Sequence, residues 1–101
     1  MNGKIYTIDE IKEKFAKVAE QYPIKEAYLF GSYARMEAKK RSDVDIAVEI
    51  KKDARFSLWD LSGLFIDAKK VFEKKVDIVE RGAMPNGFKE EAEKDLVKIY
   101  G

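Results

Sequence analysis

The sequence predicts an α/β (α+β) fold, a small mixed sheet of three to four strands flanked by helices. Helical and strand-like spacing of apolar residues alternate along the chain, without repeats or low-complexity linkers. The chain has 101 residues, of which 46% are hydrophobic. A chain of this length buries about 60 to 70% of its unfolded surface. We therefore expect one domain over residues 1–101.

Two helices are marked by their first residues. Thr7 and Glu10 form a capping box, and apolar residues then recur at helical spacing until Pro23. Ser57 caps a second, longer helix that runs to about residue 74. Its predicted core arc comprises Leu58, Leu61, Leu64, Phe65, Ala68, Val71 and Phe72.

The strands are predicted between these helices and after them. Residues 25–30 form the first strand, which leads into a short helix from Ser32 to about residue 38. Residues 43–50 form the second, with its acidic side chains opposite the apolar core face. The third strand covers 76–80, and a loop at 82–87 and a short helix at 88–94 follow it. Residues 96–100 fit either helix or strand by pattern.

Gly31-Ser32 and Asp43-Val44-Asp45 are separated by a ten-residue spacer. A Gly-Ser turn that opens a helix presents free backbone N–H groups to phosphate oxygens. Residues two apart in a strand point to one face, so Asp43 and Asp45 can both bind Mg²⁺ beside those phosphates. The alternative is structural: Gly31 ends a strand, Ser32 caps a helix and Asp43 is a turn residue.

Asp77 favours the metal interpretation. It lies in the middle of the apolar run Val76-Asp77-Ile78-Val79, as Asp45 does in its own strand. Aspartate is depleted in strands and is rarely buried without a partner. A shared divalent cation relieves both costs. The alternative is that each aspartate pairs with a Lys or Arg at a sheet edge.

Residues 27–49 resemble the signature of the minimal nucleotidyltransferases, small members of the DNA polymerase beta superfamily. The matching runs are Leu29-Phe30-Gly31-Ser32-Tyr33-Ala34-Arg35, then Ala38, then Ser42-Asp43-Val44-Asp45-Ile46-Ala47-Val48-Glu49. The run Val76-Asp77-Ile78-Val79-Glu80 is similar to the strand that carries that family's third carboxylate. Met36 departs from the pattern, because relatives commonly have Gly after the Arg. The resemblance also favours a final strand at 96–100.

The resemblance implies a polymerase-beta-like nucleotidyltransferase fold, two Mg²⁺ ions and ATP as substrate. Asp43, Asp45 and Asp77 would be the catalytic metal ligands, and Gly31 and Ser32 would bind the phosphates. Arg35, one helical turn after Ser32, would reach phosphate or pair with an acid. The implied function is a protein adenylyltransferase antitoxin that transfers AMP to a tyrosine of a HEPN-domain RNase toxin, in a hetero-oligomer.

Two other functions stay open. One is a nucleotidyltransferase with a small-molecule or RNA acceptor, and the other is a non-catalytic module that neutralises a toxin by binding it. Composition further narrows the class of protein. A formal net charge of +1 lacks the basic footprint of nucleic-acid-binding proteins, so we expect no direct nucleic-acid binding. The chain has no cysteine or histidine and no membrane-length apolar run, and we expect a cytoplasmic protein.

The Ser57 helix also predicts a partner surface. Trp59 and Ile66 fall together with Gly63 and Lys70 on the side opposite the predicted core arc. Exposed Trp is enriched at interface hot spots. The alternative is that residues 82–87 or the C-terminal segment fold over this side.

Overall fold

The structure is a computed structural model that describes residues 4–83 and 93–101. Its elements are α1 (Ile8–Ala19), β1 (Ile24–Phe30), α2 (Gly31–Ala34), β2 (Val44–Ile50), α3 (Leu58–Phe72), β3 (Val76–Glu80), a 3₁₀ turn (Arg81–Ala83) and β4 (Val97–Tyr100). The predicted capping box of Thr7 and Glu10 is present, and the predicted cap Ser57 forms a capping box with Asp60. None of the helices in the described ranges has the length and apolar character needed to cross a membrane.

The four strands form one mixed sheet in the order β3-β2-β1-β4. β1 is antiparallel to both β2 and β4, whereas β2 and β3 are parallel. Parallel neighbours need a crossover connection, and α3 supplies it. The predicted mixed sheet and the final strand are confirmed.

The two faces of the sheet differ in what covers them. One face packs against α1 and α3 around the main core, which includes Phe15, Leu29, Ile46, Leu64, Phe72 and Ile78. The other face carries a small cluster in which Phe30 and Ala47 contact Tyr28, Val79 and Leu96. Asp45 and Asp77 alternate with the core residues of β2 and β3, so they lie on this second face, opposite the helices.

Two helices end earlier than the pattern predicts, at residues in left-handed conformation. α2 stops at Ala34 because Met36 has φ of 57°, and α3 stops at Phe72 because Glu73 has φ of 53°. A left-handed residue just after the last helical turn ends the helix, and Gly is preferred there. This conformation explains why Gly suits the position that Met36 occupies in this chain.

Two details of the predicted α3 faces are wrong. Leu58 is 77% exposed, because it lies in the first turn at the edge of the arc centred on Ala68. Gly63 does not face solvent freely, since a Cβ there would lie 2.9 Å from the Tyr22 hydroxyl. That hydroxyl donates to Asp67 at 2.6 Å and ties the turn after α1 to α3.

Most of the predicted 82–87 loop and of the predicted 88–94 helix lies outside the described residues. Gly82 itself belongs to the 3₁₀ turn that follows β3.

Candidate active site

Gly31 joins β1 to α2 and lies against the carboxylate of Asp45. Its φ of 72° is in the left-handed region, which favours glycine. A Cβ built on Gly31 would lie 2.4 Å from Oδ2 of Asp45, closer than real Cβ contacts allow. The position therefore requires glycine for both its backbone conformation and its contact. The fold brings the two halves of the sequence motif together at this contact.

Strand register places Asp45 beside Asp77. Asp45 of β2 pairs with Asp77 of β3 in the parallel ladder, and it faces Phe30 of β1 across the antiparallel one. Neighbouring strands are about 4.8 Å apart, and in-register residues point to the same face. Two carboxylates from separate strands thus lie side by side on the face opposite the helices.

The environment of Asp45 disfavours its charged form. Burial, followed by the charges of Asp77 and Asp43, raises the pKa of Asp45 to about 6, while Arg35 acts to lower the pKa. The site therefore carries excess negative charge around a partly buried carboxylate. A bound cation would relieve this repulsion.

Asp43 lies just before β2 and acts on Asp45 through its charge. Within residues 4–83 and 93–101, no group of three or more His, Cys, Asp or Glu side chains is gathered closely enough to hold a metal ion. Carboxylate oxygens nevertheless suit Mg²⁺, which is commonly bound by one or two carboxylates with substrate phosphates and water. The paired Asp45 and Asp77 fit that pattern.

Ser32 is the second residue of α2. It does not cap the helix, because the N-cap is Phe30 and no side chain makes a capping hydrogen bond there. The Ser32 hydroxyl makes no hydrogen bond to any described residue. Since α2 has only four residues, its dipole is weak, and the turn offers a ligand mainly its N–H groups and this hydroxyl.

Arg35 is exposed and makes two ion pairs. Its Nε lies 3.3 Å from Glu37 Oε2, and its Nη1 lies 4.0 Å from Asp95 Oδ2. Exposed pairs of this kind contribute little stability, so the guanidinium can exchange partners at small cost. The exposed loop before β2 contains Lys39, Lys40 and Arg41.

Sequence reasoning missed a charged cluster further along the same strands. Arg81 stacks on the Tyr28 ring at 4.6 Å and pairs with Glu93 at 3.3 Å and Glu49 at 3.9 Å. A cavity of about 310 Å³ is lined by Glu49, Arg81, Gly82 and Glu93. The alternation of Asp45, Ala47 and Glu49 along β2 is the signal that places Glu49 on this face.

Sequence reasoning also missed Lys74, a buried lysine. Its ammonium donates to the Tyr33 hydroxyl at 3.1 Å and to the Lys40 carbonyl at 2.9 Å. No sequence pattern indicates this role, because Lys74 lies at the predicted end of a helix, where a lysine is ordinary.

Comparison with known proteins identifies the family to which the chain belongs. The family described as "Nucleotidyltransferase domain" matches residues 8–99. A "Putative protein adenylyltransferase" of Methanocaldococcus jannaschii is 35% identical over 99 residues, covering 92% of this chain and 98% of the relative. Among solved structures, a toxin-antitoxin with AMP-PNP superposes with a TM-score of 0.75 at 21% identity, covering 89% of this chain and 73% of that one.

A second solved structure has the same fold. It is a tri-AMPylated Shewanella oneidensis HEPN toxin in complex with an MNT antitoxin, with a TM-score of 0.69 at 19% identity, covering 92% of this chain and 72% of that one. These two likenesses establish the fold, and the family match extends over nearly the whole chain. The Gly31 turn packed on Asp45, with Asp77 beside it, is thus found in a chain that belongs to the nucleotidyltransferase domain family.

Proposed function

We propose that this chain is a protein adenylyltransferase that transfers AMP from ATP to a tyrosine of a HEPN-domain toxin and thereby neutralises it. The observation that carries the proposal is the Asp45–Asp77 pair with Gly31 packed against Asp45. This arrangement joins a phosphate-binding turn to the carboxylates of a metal site. The AMP acceptor is argued from relatives, which include a protein adenylyltransferase and an antitoxin bound to an AMPylated HEPN toxin.

In the proposed reaction the acceptor hydroxyl oxygen attacks the α-phosphorus of ATP. A new P–O bond forms, the bond to the bridging oxygen breaks, pyrophosphate leaves, and the hydroxyl proton passes to solvent. Asp43, Asp45 and Asp77 would hold two Mg²⁺ ions. Mg²⁺ would supply charge neutralisation at the phosphates and lower the pKa of the attacking hydroxyl.

The residues of the turn orient the leaving group. Backbone N–H groups of the Gly31-Ser32 turn would donate to the β and γ phosphates, as would the Ser32 hydroxyl, which has no partner among the described residues. The Arg35 guanidinium would leave the exposed carboxylates of Glu37 and Asp95 and bind phosphate oxygens instead. The chain has no histidine, so no imidazole takes part in proton transfer. We place this reaction in the cytoplasm, in a hetero-oligomer of antitoxin and toxin.

An acceptor panel tests the proposal. The chain is incubated with ATP labelled at the α-phosphate, Mg²⁺, and in separate reactions a HEPN-domain toxin, an aminoglycoside or an RNA oligonucleotide. We expect label on a toxin tyrosine, mapped by mass spectrometry, together with loss of the toxin's RNase activity. Label on the aminoglycoside or RNA instead would reassign the acceptor. If wild type and Asp45→Asn neutralise the toxin equally and the toxin carries no label, the result would support the non-catalytic module.

Ser32→Ala should weaken ATP use while leaving the fold unchanged. The hydroxyl caps nothing, so we expect the free energy of unfolding to change by less than about 0.5 kcal/mol. A lost hydrogen bond to a charged phosphate should raise KM for ATP by about tenfold. Steady-state kinetics and a thermal melt measure both, with the exposed Ser62→Ala as control. Unchanged ATP kinetics in Ser32→Ala would remove Ser32 from the proposed phosphate site.

Trp59→Ala should weaken binding of the toxin, or of a second copy of this chain. Trp59 is 87% exposed and Ile66 on the same helix is 55% exposed. Truncation of a Trp hot spot costs about 1 to 3 kcal/mol of binding energy. Because Trp59 contributes little to the core, Tm should not change. Calorimetric titration with Met36→Ala, another exposed apolar residue, is the control; a lower Tm with unchanged affinity would contradict an interface role.

A further inference from the structure

Lys74 is 2% exposed, in the short connection between α3 and β3. Lysine is almost never fully buried unless its charge is compensated. No carboxylate in the described part of the chain pairs with this ammonium. Its compensation comes from neutral oxygens and aromatic rings instead. The side chain therefore occupies a specific site built for an ammonium group.

All three N–H donors of the ammonium have acceptors. They donate to the Lys4 carbonyl at 2.7 Å, the Lys40 carbonyl at 2.9 Å and the Tyr33 hydroxyl at 3.1 Å. The Tyr6 and Tyr33 rings lie 5.9 and 5.6 Å from the ammonium, within cation–π distance. One side chain thus connects the segment before α1, the helix α2 and the loop before β2.

Two of these contacts lie inside the ten-residue spacer of the motif. Tyr33 directly follows Ser32, and Lys40 precedes Asp43 by three residues. The backbone continues the same arrangement, because the carbonyl of Lys75 accepts from the N–H of Val44 at 3.0 Å. Lys74 therefore holds the spacer near both ends, beside the phosphate-binding turn and beside the first aspartate.

The ammonium has a role that an apolar side chain cannot take over. Its removal would take a donor from the Lys4 and Lys40 carbonyls, and a buried acceptor left without a donor is costly. A Met of similar length would fill the same space without desolvating an ammonium group. What Met cannot do is donate simultaneously to Tyr33 and Lys40.

We propose that Lys74 is a positioning residue that fixes the distance between the Gly31-Ser32 turn and the Asp43-Asp45 carboxylates. This inference rests on the proposed function, since the spacing matters only when phosphates and metal are bound together. Loss of the ammonium should let the turn and the carboxylates move relative to each other. Misplacement of catalytic groups by about 1 Å can cost about a hundredfold in rate.

Lys74→Met removes the ammonium and retains the length of the side chain. We expect kcat/KM for ATP to fall by about 10- to 100-fold, with a higher KM for ATP and unchanged affinity for the toxin. Lys69→Met, at an exposed lysine of α3, is the matched control and should behave as wild type. Wild-type ATP kinetics in Lys74→Met would overturn the proposal.

The absence of cysteine from the chain allows a selective chemical rescue. Lys74→Cys can be alkylated in denaturant with 2-bromoethylamine, which rebuilds an ammonium on a side chain with the same number of atoms as lysine, with sulfur in place of Cγ, and then refolded. Alkylation with iodoacetamide gives a neutral cap of comparable size. The positioning role requires that only the aminoethylated protein recovers a low KM for ATP. Equal KM in both alkylated forms would contradict it.

Tyr33→Phe tests the same contact in case the Lys74 variants do not fold. It removes one acceptor and keeps the ring, so we expect KM for ATP to rise by about threefold to tenfold at unchanged toxin affinity. Unchanged ATP kinetics would overturn the role of the contact. If wild type itself transfers no label to any acceptor, the proposed function fails; if wild type transfers label and the variants match it, only the role of Lys74 fails.

Discussion

We expect Asp45→Asn to lose AMP transfer and to leave the metal-free protein folded and more stable. Loss of a carboxylate at the proposed two-metal site should lower kcat by at least about a hundredfold to a thousandfold. Stability should rise, because burial and then the charges of Asp77 and Asp43 disfavour the ionised form of Asp45. A neutral amide removes that repulsion. Label transfer and thermal melts in EDTA measure the two effects.

The stability gain should depend on pH. The pKa of Asp45 is raised from 3.8 to about 6 in the folded chain, so ionisation costs stability. The cost is absent below pH 3.8, grows as pH rises to about 6, and is then constant. After allowance for solvent screening of this partly exposed group, Asp45→Asn should gain about 1 kcal/mol at pH 7.5 and nothing at pH 3.5.

A matched control separates the effect of changing the Asp45 site from the general effect of losing one negative charge. Asp53→Asn removes a carboxylate from an exposed turn at φ of 66°, a conformation that Asn tolerates. It should transfer AMP as wild type does, without the pH-dependent stability gain. Transfer by Asp45→Asn at the wild-type rate would contradict the catalytic assignment. Unfolding of Asp45→Asn would instead support a structural role for the carboxylate.

Gly31→Ala should impair both folding and transfer. The left-handed φ of 72° costs a non-glycine residue about 1 to 2 kcal/mol. The added Cβ also forces the Asp45 carboxylate away, because the two atoms would be 2.4 Å apart. Since the displaced group is a proposed metal ligand, we expect transfer to fall by about a hundredfold even at temperatures where the variant is folded.

Gly82→Ala is the control for glycine replacement. A Cβ at Gly82 meets nothing within 4 Å among the described residues, so its Tm and transfer rate should match wild type. A folded Gly31→Ala protein with wild-type transfer would contradict the proposed role of Gly31. A variant with low Tm whose folded fraction transfers normally would show that the glycine serves the fold alone.

The parts of the fold that follow from local chemistry were predictable from sequence. The capping box at Thr7 and the cap at Ser57 predicted where both long helices begin, and alternation in residues 43–50 predicted Asp45 opposite the core. The early end of α2 was not predictable, since it depends on a non-glycine residue, Met36, in left-handed conformation. The exposure of Leu58 was not predictable either, because angular position alone does not show that a residue of the first turn lies at the edge of the packed face.

Some features of the candidate site were likewise predictable from sequence, and others were not. Gly31 and Asp45 were predicted from spacing and from the cost of an acid in an apolar strand, and Asp45 is partly buried. Asp77 was predicted on the same cost, but it is exposed, so that cost does not apply to it. Their direct juxtaposition needed the register of β2 with β3 and the approach of the Gly31 turn. Lys74 and the Arg81 stack on Tyr28 depend on contacts between residues distant in sequence, which no local pattern reveals.

Labelling the α- and the γ-phosphate of ATP in separate reactions tests most directly whether this chain transfers a nucleotidyl group. Parallel reactions of chain, Mg²⁺ and HEPN toxin receive ATP labelled at either the α- or the γ-phosphate, and protein-bound label is measured. Attack at the α-phosphorus predicts that α-label becomes covalently bound to toxin tyrosine while γ-label leaves as pyrophosphate. Covalent γ-label on the toxin, or no covalent label from either ATP while the toxin is still neutralised, would contradict nucleotidyl transfer at this site.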